Sequence, residues 1–182
     1  MKSQELKSFK FVKIIIDRKN NQFKNLHFLP KIVDLYKKFS KYLSDDYFLN
    51  RDKNIIDAVM QLIESVGPYF WVVVDSESQK FAGIGFLENW VGSKNQAHSV
   101  EVTTCFHPEY WGKYTKICAK KFIKYCFKKY KLKKMKACIF PQNTRVRALL
   151  KQAGFKYEAR LYAETLKDGK FQDIEVFSII RK

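Results

Sequence analysis

Between Phe106 and Phe155 the chain carries a run of elements whose order leaves few folds open. The turn His107-Pro108-Glu109-Tyr110-Trp111-Gly112-Lys113 leads into a helix beginning near Thr115, on which Ala119, Phe122, Ile123, Cys126, Phe127 and Tyr130 form one apolar stripe. Lys116, Lys120, Lys121, Lys124, Lys128 and Lys129 sit opposite, as a solvated face. A strand over Met135 to Phe140 follows. Pro141-Gln142-Asn143-Thr144 then opens a short helix with Val146, Leu149, Leu150 and Ala153 at i, i+3, i+4 and i+7, and Gly154 is placed for its C-cap. A turn that enters a helix presents free backbone N–H groups and the positive end of the helix dipole, so Trp111 to Ile117 is a ready anion site.

The rest of the chain supplies a sheet around this run. Phe9 to Ile16 alternates as a first strand, and Asp17 to Gln22 is a polar turn. Ile32, Leu35, Tyr36, Phe39 and Leu43 mark an amphipathic helix starting near Pro30. A second helix has Asp52 as its cap, Ile56, Val59, Met60 and Ile63 as its stripe, and a stop at Gly67-Pro68. Tyr69 to Val74 and Phe81 to Leu87 read as an antiparallel hairpin across the polar turn Asp75 to Gln79. A loop with Gly92, Ser93 and Asn95 leads to a fourth strand, Ala97 to Phe106, with Val100, Val102 and Phe106 on one face and Glu101, Thr103 and Cys105 on the other. At the end Phe155, Tyr157, Ala159, Leu161 and Ala163 alternate, Asp168-Gly169 is a tight-turn signal, and Ile174 to Ile180 returns. The sum is a mixed, mostly antiparallel α/β sheet of about seven strands with about four helices, in one domain over residues 1–182.

At 182 residues such a chain buries a core of its own, and 46% hydrophobic residues argue against disorder. The longest uninterrupted apolar run, Tyr69 to Val74, is far short of a bilayer span. Lysines interrupt the N-terminal apolar residues, which excludes a signal-peptide core there. A soluble, cytoplasmic protein with no membrane partner is expected. Cys105, Cys118, Cys126 and Cys138 include no Cys-x-x-Cys pair, and only His107 stands near one of them. No metal is expected, and the thiols read as reduced and mostly buried. The net charge of +17 comes mainly from lysine. Lysine is a point charge where base-reading patches use arginine forks, so the charge fits either a solvated surface or steering toward an anionic partner.

The order strand, anion-binding turn, helix, strand, Asn-capped helix and Gly154-Phe155 resembles the acetyl-CoA-binding half of the GNAT N-acetyltransferases. Ala82-Gly83-Ile84-Gly85, Asn143 with Arg147, and Asp168-Gly169-Lys170 with Asp173 extend the resemblance over Phe81 to Ile180. It is most similar to the branch that includes the ribosomal-protein and other amino-terminal acetyltransferases. The resemblance implies the GNAT fold, acetyl-CoA as cosubstrate, no metal, and transfer of the acetyl group by direct attack of a primary amine. That amine belongs to a protein amino terminus or a small molecule, and the acting species is a monomer or homodimer.

The same resemblance implies which residues act. The pyrophosphate would lie against Trp111, Gly112, Lys113, Tyr114, Thr115 and Lys116, and a backbone N–H around Cys105, Phe106 or His107 would serve the oxyanion. Asn143 caps its helix or bonds the cofactor arm. The family loop usually reads Gln/Arg-x-x-Gly-x-Gly/Ala, and here Tyr114 stands at the second glycine and Lys116 at the small position. A tyrosine there either turns its ring outward or fills the phosphate space. Glu101, on the polar face of the fourth strand, is the candidate base; the alternative is a solvent-facing or salt-bridged glutamate. Where relatives place a tyrosine or serine to protonate the thiolate, this chain has Leu150 and Val146. Cys105 with His107 also admits a covalent acyl-cysteine, with a packed thiol and a surface histidine as the plainer reading.

Two function classes therefore stand at this point. One is an acetyltransferase whose acceptor groove lies between the first two helices and the last hairpin, with Tyr36, Tyr47, Phe48 and Trp90 as candidate lining or as core. The other is a catalytically inactive binding module of the same fold, holding RNA, a ribosome or an acidic protein through its basic surface.

Overall fold

The computed structural model describes residues 8–48, 54–93 and 96–181. Among them a seven-stranded sheet runs in the order β1-β4-β5-β6-β7-β9-β8, with β2 and β3 as a separate pair. The strands are β1 (Phe9–Lys13), β2 (Ile15–Asp17), β3 (Gln22–Lys24), β4 (Phe70–Asp75), β5 (Phe81–Ser93), β6 (Gln96–Phe106), β7 (Lys134–Ile139), β8 (Lys156–Lys167) and β9 (Lys170–Ile180). The helices are α1 (Leu29–Leu43), α2 (Ile55–Val66), α3 (Lys113–Tyr130) and α4 (Thr144–Ala153). Every neighbouring pair in the large sheet is antiparallel except β6 with β7. This is the expected mixed α/β fold with four helices.

Two apolar layers hold the helices to opposite faces. Ile32, Val33, Leu35 and Tyr36 of α1 and Val59, Ile63 and Val66 of α2 bury against Phe70, Val72, Val74, Ile84 and Phe86. On the other face Phe122 and Cys126 of α3 and Leu150 of α4 pack on Trp71, Leu87, Val100, Val102, Met135, Ala137 and Phe177. Strand alternation sorts the two sets, because successive side chains point to opposite faces. In β6 the even-numbered Val100, Val102 and Phe106 are buried, as expected, while Cys105 packs into the α1–α2 layer instead of lying on a purely polar face.

Several elements depart from the sequence expectation. The first strand breaks at Ile14: β1 follows β4, whereas β2 turns away to pair with β3, and the Asn25 side-chain amide donates to the Lys13 carbonyl at the break (2.7 Å). Strand β3 is three exposed residues, too short for a periodic signal. The expected cap Asp52 lies outside the described residues; Asn54 caps α2 by accepting from the Asp57 N–H at 3.0 Å. Ile56 is exposed on that helix. The expected loop around Gly92 and Ser93 is hairpin, with β5 and β6 still paired at Gly92 and Ala97, and Asn95 lies outside the described residues. Helix α3 starts two residues early, because Gly112 at φ 88 turns the chain directly into it. Strand β8 shifts register twice, so its alternating apolar residues do not share a buried face, and Tyr157 and Leu161 are exposed.

The backbone of β6 approaches β5 closely at Gly83. A Cβ there would fall on the Cys105 carbonyl oxygen and come within 2.9 Å of the Phe106 Cα. Both contacts are backbone, so nothing flexible can give way. Gly83→Ala should lower unfolding stability in urea by about 1–3 kcal/mol, the usual range for an overpacked interior site.

Candidate active site

The parallel ladder between β6 and β7 is short. It joins Ser99 to Lys134, Val100 to Met135 and Glu101 to Lys136, and beyond that β6 runs on to Phe106 and β7 to Ile139 without pairing. Each strand is held by its other neighbour: β6 by β5 as far as Phe106 with Gly83, and β7 by β9 as far as Ile139 with Glu175. The two therefore diverge as a fork with Glu101 and Lys136 at its base.

A cavity of about 830 Å³ fills the open end of this fork, and a smaller one of about 70 Å³ lies further in. Tyr42, Leu43, Thr104, Asn143, Val146 and Leu149 wall both. The last turns of α1 close one side of the larger cavity. Opposite them the N-termini of α3 and α4 both open onto it, through Gly112, Thr115 and Lys116 and through Asn143, Thr144 and Arg145. Free N–H groups and the positive dipole ends of two helices thus converge on one space, with Lys116 and Arg145 adding charge. Among the described residues the lining holds no acidic side chain.

Local bonding explains how the turn before α3 holds its shape. The indole N–H of Trp111 donates to the Phe106 carbonyl (2.9 Å), and the Thr115 hydroxyl donates to the Tyr110 carbonyl (2.7 Å). The Trp111 ring is covered by the Arg145 guanidinium at 3.9 Å and by Phe39 at 5.6 Å between centroids. At the N-terminus of α4, Asn143 accepts from the Val146 N–H (3.3 Å), which fulfils its capping role and leaves its Nδ2 for a ligand. Arg147 ties α4 to the sheet by donating to Glu175 (2.9 and 2.7 Å) and to the Pro141 carbonyl (2.6 Å).

Of the residues named from the sequence, Cys105, Phe106, Trp111, Gly112, Thr115, Lys116 and Asn143 meet at the larger cavity. His107, Lys113 and Tyr114 are not in its lining. The His107 N–H is committed to the Ala82 carbonyl (2.8 Å), and its ring lies 3.9 Å from the Glu109 carboxylate. Tyr114 is half-buried away from the cavity wall. Burial pushes the Cys105 thiol up to about 12, which removes the thiolate that an acyl-cysteine would need. Val146 lines both cavities, while Leu150 is buried and borders the smaller one only.

Of the aromatic residues considered for an acceptor groove, two take the alternative role in the core. Tyr36 is buried and stacks on Phe48 at 5.3 Å, and Trp90 packs between Tyr69 and Tyr130. Both are core. Tyr47 is exposed. The chain after α1 is latched to the last hairpin: Asp45 accepts from the Thr165 hydroxyl, and the Asp46 carboxylate accepts the N–H groups of Asp168 (2.9 Å) and Gly169 (2.8 Å).

At the base of the fork two carboxylates face each other. Glu101 pairs in register with Glu88 of β5, and both point to the α1–α2 face, as Ile84 and Phe86 do. The Asn89 side-chain amide donates to Glu101 (3.0 Å), and the Thr103 hydroxyl donates to Glu88 (3.4 Å). Thr103 and Cys138 both line the smaller cavity. Burial, then the Glu101 charge, raises the Glu88 carboxyl from its ordinary 4.5 to about 7, with the Thr103 bond working against them. Apolar alternation in the third strand ends at Leu87, so the sequence does not mark Glu88; in the structure the strand continues and sets Glu88 opposite Glu101. Phe39, Tyr42 and Arg145 are the other wall residues that no sequence motif marks.

The comparisons with known proteins agree with this fold. The model of the acetyltransferase (GNAT) domain matches residues 31–156. No curated protein matches the chain in sequence. Among solved structures, the chain is similar to an acetyltransferase of the GNAT family from Bacillus anthracis, with 16% identity, TM-score 0.68 and 94% of each chain covered. It is also similar to spermidine N-acetyltransferase from Vibrio cholerae in complex with CoA and spermine, with 18% identity, TM-score 0.68, and 96% of this chain and 95% of that chain covered. At these identities the likeness is one of fold. Among the described residues no His, Cys, Asp and Glu group is placed to hold a metal ion, and no helix is long and apolar enough to cross a membrane.

The raised carboxyl has a consequence for stability. Below about pH 4.5 both folded and unfolded chains hold the Glu88 proton; between about 4.5 and 7 the unfolded chain releases it while the folded chain keeps it. This group therefore makes the fold less stable as pH rises through that window. The difference in unfolding free energy between Glu88→Gln and wild type, followed by urea titration at several pH values, should grow in favour of the variant from pH 4.5 to 7 and level off above.

Proposed function

The chain belongs to the GNAT acetyltransferase family, and from that premise we propose that it moves an acetyl group from acetyl-CoA to a primary amine by direct attack. The observation that carries this reading is the convergence of two helix N-termini, Lys116 and Arg145 on one acid-free cavity that opens into the fork. Such a space suits a pyrophosphate and its pantetheine arm. Asn143 offers its amide to the arm, and the apolar side chains of Val146 and Leu149 line the passage inward. Backbone N–H groups along β6 between Glu101 and Phe106 stand where the thioester carbonyl would develop charge. The His107 N–H is spent on β5 and is not among them.

The departures at Tyr114 and Lys116 are compatible with cofactor binding in this reading. The conformation that needs glycine is at Gly112, with φ 88, and Tyr114 stands outside the cavity wall. Lys116 adds a cation to the pyrophosphate site in place of a small residue. The proton of the attacking amine goes to the carboxylates at the base of the fork, where Glu101 occupies the position at which the family often carries an acid. The acceptor is an amine on a protein amino terminus, by likeness to the amino-terminal branch, or a small amine, by fold likeness to the spermidine acetyltransferase.

Thermal melting tests the cofactor site. Millimolar acetyl-CoA should raise the midpoint by several degrees, since about 2.7 kcal/mol accrues at a hundredfold excess over Kd and about 2–4 °C accompanies each kcal/mol at this size. Lys116→Ala and Arg145→Ala should each shrink the rise, and Glu101→Gln should leave it intact. No rise at any concentration would sink the enzyme reading in favour of the binding module, whose RNA affinity would fall steeply with salt.

A further inference from the structure

The helices do not share the charge of this chain evenly. Helix α3 carries lysines and no acidic residue over its whole length, whereas α2 carries Asp57 and Glu64 and no basic residue, and α1 mixes Asp34 with its lysines. Helix α4 spends Arg147 on Glu175 and Arg145 on the Trp111 ring. On α3, Lys116, Lys120, Lys124 and Lys128 recur at every fourth residue, and all four are exposed. That spacing sets them in one row, about 6 Å apart along the axis and about 18 Å from first to last.

Like charges at i and i+4 work against a helix. Nothing within the fold offsets that cost: among the described residues no ion pair involves a lysine of α3. The repulsion reaches the neighbouring strand, where burial, then the Lys129 charge, holds the Lys13 ammonium of β1 below its ordinary 10.5. The row is therefore an uncompensated line of positive charge that a ligand from outside the chain can neutralise.

Its chemistry narrows the ligand. Lysine is a point charge without the planar fork of arginine, so the row grips phosphates and offers no fork to base edges. A lipid surface takes apolar side chains as well as charge. The exposed large hydrophobic residue of α3 is Tyr125, which is turned back on the sheet: its ring stacks on Phe11 at 6.5 Å between centroids, and its hydroxyl accepts from Lys129 (2.6 Å). With that ring engaged, the row also lacks a free aromatic on which single-stranded bases would stack. What it offers is a rigid, sequence-blind hold on phosphates. Double-stranded RNA is held in this way, because its A-form geometry puts the bases out of reach in a deep, narrow groove.

We propose that the exposed face of α3 is a docking surface for double-stranded RNA, held through its phosphates by Lys116, Lys120, Lys124 and Lys128 without regard to base sequence. The surface goes beyond acetyl transfer and meets it only at Lys116, which also lines the cofactor cavity.

The experiment is fluorescence anisotropy of a labelled RNA duplex of about 16 base pairs, titrated with the full chain at salt concentrations up to about 200 mM. Two triple variants remove the same charge from different faces. One is Lys120→Gln, Lys124→Gln and Lys128→Gln on α3; the other is Lys31→Gln, Lys37→Gln and Lys38→Gln on α1, whose lysines are also exposed and stand outside the cavity lining. Wild-type affinity should fall steeply with salt. The α3 variant should bind about tenfold more weakly at about 150 mM salt and flatten the slope of log K against log salt by roughly two to three, near one for each phosphate contact removed. The α1 variant should stay within about twofold of wild type, and Lys→Arg at the three α3 positions should restore binding. Equal losses in the two triple variants would assign the binding to net charge and overturn the proposal. So would a wild type that does not bind the duplex at about 150 mM salt, a DNA duplex of the same sequence bound as tightly, or phosphatidylserine vesicles that capture the protein in preference to the RNA. The acetyl-CoA melting shift reports separately on the enzyme: its absence leaves this surface standing, and a failure to bind RNA leaves acetyl transfer standing.

Discussion

A parallel ladder that pairs three residues and then lets go governs what this molecule can do. The separation is not a weakness of β6 or β7 themselves. Each is locked to its outer neighbour, β6 by the approach of Gly83 to Cys105 and Phe106, and β7 by its ladder to β9 with Arg147 and Glu175 beside it. A sheet whose interior strands part loses backbone pairing and part of its core at the gap, and such a loss persists only where the flanking structure over-determines it. The walls of the gap supply that: the Trp111–Arg145 stack, the cap of Asn143 and the end of α1 are held by contacts among the wall residues themselves.

The same separation explains the latch between the two ends of the fold. With α1 ending at the mouth of the fork, the segment after it would swing freely unless tied. Asp45 and Asp46 bind it to the β8–β9 turn through a hydroxyl and two backbone N–H groups, and Lys167 donates to the Ser40 carbonyl at 3.2 Å. Charge-assisted bonds to backbone amides are stronger than neutral ones and hold little rotamer freedom hostage on the receiving side. The hairpin signal Asp168-Gly169 is thereby also the docking point that fixes the rim of the site.

Much of this was legible in the residues, and the limits have physical causes. The stripes on α1, α3 and α4, the Asn143 cap and the glycine ends follow from period and capping chemistry that act within a few residues. The break at Ile14 and the β3 strand depend on which partner each segment finds, a tertiary matter that alternation in Phe9 to Ile16 conceals. Motif alignment brought Lys113 and Tyr114 to the anion site because they are adjacent in sequence to Gly112. On a helix, however, neighbours point about a hundred degrees apart, and Thr115 and Lys116 are the ones that line the cavity. Glu88 was invisible for a similar reason: its meaning comes from a cross-strand register that no single segment displays.

Under the proposed reaction the sheet sorts its two substrates by charge. The anion-binding end of the fork, with two helix dipoles, Lys116 and Arg145, is continuous with the lysine-rich face of α3 and draws a polyanionic cofactor there. The carboxylates lie on the opposite face, beneath α1, where a cationic amine would arrive. A net charge of +17 speaks against an ammonium approaching this molecule at all. Beyond about 8–10 Å, however, salt screens that repulsion at physiological strength, and the field an incoming amine meets is set by its nearest neighbours. Two carboxylates facing each other across the strands supply that local field, and burial, with their mutual repulsion added to it, keeps one of them able to accept a proton near neutral pH. The buried carboxylate with its like-charged neighbour, which costs the fold stability above about pH 4.5, is in this reading the feature that lets a strongly basic protein handle a cationic acceptor.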